Sequence, residues 1–166
     1  MKGVELEAAW LVNENFTISG SLGVLDAEFK SFEADTNFDG TIDTDLTGSP
    51  VARAPESTWN VDFLYNLPVG QGNLELALNV NYEDEAVYAY TSVGGTDNGV
   101  TDERTLVNAA ATYTSPDGRW WLRLFGKNLT DERYRIGELP VANLWVMSFY
   151  GQPETIGLEG GVRLDW

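Results

Sequence analysis

The chain has no cysteine and no histidine. Without cysteine there is neither a disulfide framework nor a thiolate metal site. Without histidine the commonest general base and the commonest metal ligand are both missing. Basic residues are scarce, ten Lys and Arg against 26 Asp and Glu, so the net charge is −16. A chain this acidic is a poor partner for nucleic acid or for an anionic membrane surface. No apolar run reaches the length of a transmembrane helix. The start, "MKGVELEAAW", carries Glu5 and Glu7 inside its apolar run and lacks a small-residue cleavage site, so it does not read as a signal peptide. At 166 residues, one domain of ordinary size is expected.

What is present is alternation. In "GVELEAAWLV", Val4, Leu6, Ala8, Trp10 and Val12 fall on one side and Glu5 and Glu7 on the other. Strands place successive side chains on opposite faces, so a period of two marks a strand with one apolar and one polar face. "FTISGSLGV" repeats the pattern with Phe16, Ile18, Gly20, Leu22 and Val24. "TWNVDFLYNL" sets Trp59, Val61, Phe63, Tyr65 and Leu67 against Asn60, Asp62 and Asn66, with Leu64 alone on the wrong side. "NLELALNVNY" gives Leu74, Leu76, Leu78, Val80 and Tyr82, and "RTLVNAAATYT" gives Thr105, Val107, Ala109, Ala111 and Tyr113. "RWWLRLFGKNL" alternates less cleanly, with Trp120, Leu122, Leu124 and Gly126 opposite Arg123 and Lys127. The close, "ETIGLEGGVRLDW", puts Ile156, Leu158, Gly160, Val162, Leu164 and Trp166 on one face. Seven strands are expected, and no convincing helix. The "ERYRIGELP" stretch has room for one turn, but Gly137 and Pro140 argue against more.

The connections alternate in length. "NEN", "PVGQG" and "SPDG" are turns; the stretches near 30–55, 91–103 and 131–153 are long, and the first two are polar. Two all-β architectures share this period. A soluble sandwich turns its apolar faces to a common core, and an outer-membrane barrel turns them to lipid. Strands of about ten residues suit a tilted membrane crossing, whereas sandwich strands more often have about five or six. Aromatics near strand ends, among them Trp10, Phe16, Trp59, Tyr65, Tyr82, Tyr113, Trp120 and Trp166, suit the two interfacial girdles of a barrel. Short turns alternating with long loops point the same way. The residues therefore favour an all-β antiparallel transmembrane barrel segment, with the sandwich and a small self-contained barrel as alternatives. The small barrel needs an eighth strand, for which "ANLWVMSFY" is the candidate. In the barrel reading the short turns are periplasmic, the long loops extracellular, and the last strand runs inward.

Several motifs carry a sharper and a plainer reading. In "DTNFDGTIDTD", Asp35, Asn37, Asp39 and Asp43 stand at oxygen-ligand positions of a calcium loop, Gly40 at its glycine and Thr41 at its backbone-carbonyl position. The closing bidentate Glu is absent, since Leu46 occupies its place, and a solvated acidic loop is the plainer reading. Glu83, Asp84 and Glu85 cluster past a strand, where an outer loop base in water is expected rather than acid–base catalysis. Arg104, Arg119, Arg123 and Arg163 are expected at the lumen or the rims, paired with carboxylates. Of Trp120 and Trp121 only one can face the lumen. The "NFT" and "NLT" sites at Asn15 and Asn128 carry no weight in a bacterial barrel. No enzyme activity is expected.

The segment "RTLVNAAATYTSPDGRWWLRLFGKNLTDERYR" resembles the penultimate hairpin of TonB-dependent outer-membrane receptors. Gly126, Asn128, Leu129, Asp131 and Tyr134 match that family's G-x-N-L-x-(D/N)-x-x-Y signature. "ARAPESTWNVDFLYNLP" resembles an upstream strand, and "GLEGGVRLDW" the family's terminal strand. The resemblance covers nearly the whole chain, although the family usually ends in Phe rather than Trp. It implies that residues 1–166 are the C-terminal portion of a receptor barrel, without the plug domain or about two thirds of the barrel. It also implies that Met1 is internal to a longer protein, or that another chain completes the edges. Further implications are residence in the outer membrane of a Gram-negative bacterium and uptake of a scarce ligand such as a siderophore, corrinoid or glycan. The implied partners are outer-membrane lipid, the remaining barrel and plug, TonB acting through that plug, and the barrel-assembly machinery. That machinery would read Leu158, Val162, Leu164 and Trp166. No resident cofactor is implied, and calcium at the acidic loop is the single candidate.

Overall fold

The computed structural model describes residues 1–90, 99–141 and 145–164. Thirteen strands and no helix occur among them. Seven are long: β1 (Lys2–Asn13), β2 (Phe16–Asp26), β5 (Ser57–Val69), β6 (Gly72–Glu83), β9 (Arg104–Thr114), β10 (Trp120–Lys127) and β13 (Thr155–Val162). They form one antiparallel sheet in the order β1-β2-β5-β6-β9-β10-β13, each long strand beside its predecessor. The other six form three local hairpins: β3 (Glu33–Ala34) with β4 (Thr44–Asp45), β7 (Ala86–Val87) with β8 (Val100–Thr101), and β11 (Arg135–Val141) with β12 (Trp145–Tyr150). Each lies in one of the three long connections, and all three connections leave the same end of the sheet.

Cross-strand register keeps each face uniform. One row runs Leu6, Leu22, Trp59, Tyr82; another runs Phe63, Leu78, Ala109, Gly126, Ile156. The opposite face carries Glu7, Ser21, Asn60 and Asn81 in one row and Asp62, Asn79 and Asn108 in the next. Leu64 lies on this polar face, between Thr17 and Ala77. The alternation therefore places every long strand with its apolar side on one common surface.

That surface is uncovered. Leu6 is 62% exposed, Leu124 53% and Leu158 67%. Among the described residues the buried apolar side chains are Ala27, Leu46, Ala86 and Tyr134, all in the long connections rather than in the sheet. A sandwich would bury the Leu and Val side chains of its strands between two layers. Here a single layer presents them outward, as a lipid-facing wall does. Burial contributes about 25 cal/mol per Å², and side chains left in water forgo it, so this sheet gains from an apolar solvent against that face.

The aromatic rings mark two levels. At the turn end, Phe16 packs edge-on to Tyr65 at 5.8 Å and Tyr113 lies 5.3 Å from Trp120. At the loop end, Trp59 stacks on Tyr82 at 5.5 Å. Trp59 to Leu67 on β5 is 67 − 59 = 8 residue steps, about 26 Å along a strand. Tilted by about 40°, that length covers about 20 Å of an apolar band about 25 Å tall.

The short turns are closed by their own side chains. Asn15 donates its N–H to Asn13 Oδ1 at 2.9 Å. Ser115 Oγ donates to Asp117 Oδ1 at 2.7 Å, and Gly118 takes the positive φ of 65° that the turn requires.

The segment 145–150 is a strand, as its apolar character suggested, but it pairs with β11 and not with the main sheet. It does not supply an eighth wall strand. The main sheet is open: β1 and β13 each have one unpaired edge among the described residues.

Candidate functional site

The signature residues converge where β10 leaves the sheet at its loop end. Strand β10 reaches Lys127, and the chain then turns through Asn128 at a φ of 49°, a left-handed conformation that Asn tolerates better than most residues. This turn sends the Asn128 side chain to the polar face and Leu129 to the apolar face. Leu129 lies over the Cα of Gly126, where any side chain would collide with it. The Leu129 N–H also donates to Val107 O at 2.9 Å, holding the exit against β9.

Asn128 is 4% exposed and uses its whole amide. Its Nδ2 donates to Glu132 O at 2.9 Å and to Gln152 O at 3.0 Å, and its Oδ1 accepts Glu132 N–H at 3.0 Å. One side chain thus ties the exit of β10 to the segment that enters β13. Asp131, also at positive φ, accepts the N–H of Glu154 at 3.2 Å. Tyr134 is buried against Gly151, whose N–H donates to Tyr134 O at 2.9 Å. Arg104 lies 5.1 Å over the Tyr134 ring and pairs with Glu83 at 2.5 Å.

From Asn128 a row of hydrogen bonds crosses the polar face. The Asn128 N–H donates to Asn108 Oδ1 at 3.0 Å, Asn108 Nδ2 donates to Asn79 Oδ1 at 3.0 Å, and Asn79 Nδ2 donates to Asp62 Oδ1 at 2.8 Å. The four residues lie on β5, β6, β9 and the exit of β10, so the row is perpendicular to the strands. The alternation placed Asp62, Asn79 and Asn108 on the polar face but did not single them out. Their shared level on adjacent strands becomes visible only once the register is known.

Above this level the second and third connections are clamped together. Arg135 donates from Nη2 and Nε to Asp102 Oδ1 at 2.6 and 3.0 Å, and from its backbone N–H to Asp102 Oδ2 at 2.8 Å. Its Nη1 reaches Glu138 Oε1 at 3.3 Å, which also accepts from Ser148 Oγ at 3.0 Å. The hydrogen bonds from Arg135 hold the Asp102 carboxyl below the usual carboxylate range and raise Arg135.

Other sequence candidates fall as follows. Arg123 pairs with Glu159 at 2.8 Å on the polar face, and Arg119 sits 3.8 Å from Asp117 in a short turn. The Arg163 N–H donates to Arg119 O at 2.7 Å. Trp120 lies on the apolar face and Trp121 on the polar one, over Gly161. Beside its pairing with Arg104, the acidic trio has Asp84 accepting Ser57 Oγ at 3.1 Å and Glu85 N–H at 3.0 Å, so its carboxylates secure strand ends.

In the acidic loop, Asp35 accepts the N–H groups of Asp39 and Gly40 at 3.2 and 2.8 Å, and Asp39 accepts that of Thr41 at 2.7 Å. Asn37 Nδ2 also donates to Asp39. The Thr41 and Asn37 hydrogen bonds lower the Asp39 carboxyl. Hydrogen bonds thus close the turn that contains Asp35, Asn37, Asp39 and Thr41, with Asp43 beyond it. Among the described residues no group of three or more acidic side chains is gathered so that it could hold a metal ion. Leu158, Val162 and Leu164 are 67%, 70% and 66% exposed at the last strand, and Trp166 lies outside the described residues.

A single-layered antiparallel meander, apolar outside and polar inside, with short turns at one end and long loops at the other, defines a wall segment of an outer-membrane β-barrel. Two solved structures share this fold. The ferric yersiniabactin uptake receptor FyuA of Yersinia pestis superposes with a TM-score of 0.76 at 18% identity, over 96% of this chain and 23% of that one. The siderophore receptor PiuA of Acinetobacter baumannii superposes with a TM-score of 0.70 at 18% identity, over 95% and 21%. At such identity the likeness is one of fold, and the chain spans less than a quarter of the length of either receptor. No family model and no curated protein sequence matches the chain.

Proposed function

We propose that this chain is the C-terminal portion of the barrel of a TonB-dependent outer-membrane receptor that takes up a scarce ligand. The uncovered apolar face of one seven-stranded sheet carries this reading, and the shared fold with two siderophore receptors supports it. The wall faces outer-membrane lipid with Leu, Val and aromatic side chains. Its polar face lines a lumen in which a plug sits, and TonB acts through that plug. The barrel-assembly machinery inserts the chain by its last strand. The knot at Asn128 is structural: it fixes the loop-end rim and does no chemistry. The siderophore class is favoured among cargoes because one receptor of like fold is a siderophore receptor and the other takes up ferric yersiniabactin; the corrinoid and glycan classes remain alternatives.

The test is an immunoblot of outer-membrane fractions with an antibody to the last dozen residues, boiled and unboiled. A heat-modifiable band several times larger than 18.3 kDa supports the reading. An antigen that is soluble without detergent contradicts it.

A further inference from the structure

The third connection is fixed at its base and lightly held above it. The Asn128 knot, the bond from Glu154 to Asp131 and the contact of Gly151 with Tyr134 tie its two ends together at the sheet. Above them β11 and β12 form a hairpin of their own. On one side of this hairpin Gly137 lies beneath the Tyr88 ring of the second connection. Leu139, Met147 and Phe149 share that side, because cross-strand partners point the same way. All three are exposed, so little apolar packing holds the hairpin in place. The second connection is tied more firmly to the first. The Arg53 N–H donates to Val87 O at 2.6 Å, and its guanidinium lies 4.4 Å over the Tyr88 ring.

Arg135 holds the hairpin to the second connection, and its two carboxylate partners share it unevenly. The Glu138 side chain is 4% exposed and that of Asp102 is 35% exposed. Yet Asp102 takes three bonds from Arg135, at 2.6, 2.8 and 3.0 Å, and Glu138 takes one, at 3.3 Å. Glu138 Oε2 is buried and, among the described residues, has no hydrogen-bond partner. A buried carboxylate has given up its water, so it needs protein donors more than an exposed one does. This oxygen is enclosed by the chain's own atoms. No neighbour supplied from outside reaches it unless the hairpin moves.

One guanidinium cannot serve both carboxylates fully. A fork of two parallel bonds, from Nη1 and Nη2 to the two oxygens of Glu138, satisfies Oε2. The same fork withdraws Nη2 from Asp102, the shortest of the bonds that join the two connections.

We infer that Arg135 is a two-position latch. In the position seen, it bridges the third connection to the second through Asp102. In the other, it pairs bidentately with Glu138 inside its own hairpin and frees β11 and β12 from the second connection. The latch gives the receptor reading a moving part at the loop end and does not depend on the cargo.

The test uses the full 166-residue chain in detergent micelles, which has no native cysteine. Spin labels are placed through Leu11→Cys, at the turn end of β1, and Met147→Cys, on β12. Double electron–electron resonance reads the distribution of distances between them. Two populations are expected. Glu138→Gln takes the charge from the second position and should leave only the latched population. Asp102→Asn should leave only the released one, still narrow because Glu138 now holds Arg135. Combining Asp102→Asn with Glu138→Gln should broaden it. A single population common to the labelled chain and to its Glu138→Gln and Asp102→Asn forms overturns the latch. So does an Asp102→Asn distribution that the added Glu138→Gln leaves unchanged, since Arg135 then has no second position.

Discussion

The side-chain oxygen of Asn108 accepts the backbone N–H of Asn128 at 3.0 Å, joining the middle of one wall strand to the point where the next leaves the sheet. The Asn128 side chain then closes three more bonds, to Glu132 and Gln152. Replacing it with Ala leaves two carbonyls and one N–H without their partner and keeps a residue with Cβ at positive φ. The expected cost of Asn128→Ala is about 3 kcal/mol, at roughly 1 kcal/mol per lost bond. Urea unfolding of the chain in micelles, followed by tryptophan fluorescence, measures it.

Asn79 and Asn108 act as one unit if the row of amides is cooperative. Each single change to Ala strands a donor or acceptor on its neighbour, and the double change removes that shared defect. The double variant is therefore expected to be less destabilised than the sum of the singles, by about 1 kcal/mol. A double-mutant cycle in the same unfolding assay reads the coupling directly.

Gly151 lies against the Tyr134 ring so closely that a methyl group would overlap it. The ring is itself held under Arg104 and cannot swing away freely. Gly151→Ala should destabilise the third connection by about 1–3 kcal/mol, the usual range for overpacking. Limited proteolysis after Arg133 and Arg135 should show faster cleavage while the sheet stays folded.

The clamp between Asp102 and Arg135 carries a pH dependence. The folded carboxyl of Asp102 is depressed, chiefly by the hydrogen bonds from Arg135. Its contribution is therefore present above the unfolded value of about 3.9 and is lost as pH falls below it. Protection factors of the β11 and β12 amides, which divide out the intrinsic pH dependence of exchange, should fall as pH drops below about 3.9. Arg135→Gln should exchange fast at neutral pH and show little further change on acidification.

Much of the wall was legible because one physical constraint dominates it. A membrane sheet must keep a period of two over its full width, and Trp59 to Leu67 or Leu74 to Tyr82 obey it with little interruption. The three small hairpins were not legible. The ladders of β3–β4 and β7–β8 are two residues long, too short for any period to show. The segment 145–150 was apolar enough to be the candidate eighth strand of a small barrel, but sequence pattern does not say which edge a strand joins. Gly126, Asn128, Leu129, Asp131 and Tyr134 stood out as a signature, and the structure brings them together. Their partners Asn108, Gly151 and Gln152 are far along the chain, and a single side chain gives no sign of a contact that folding creates.

The central claim is that one layer of sheet separates lipid from lumen. The absence of cysteine allows single spin labels to be placed without background. Labels at 76 to 80 on β6 should alternate when relaxed by oxygen, which concentrates in lipid, and by a nickel chelate, which stays in water. The account expects positions 76, 78 and 80 to favour oxygen, and 77 and 79 to favour nickel. Protection of the apolar positions from both reagents would mean a second protein layer covers them, and would contradict the account.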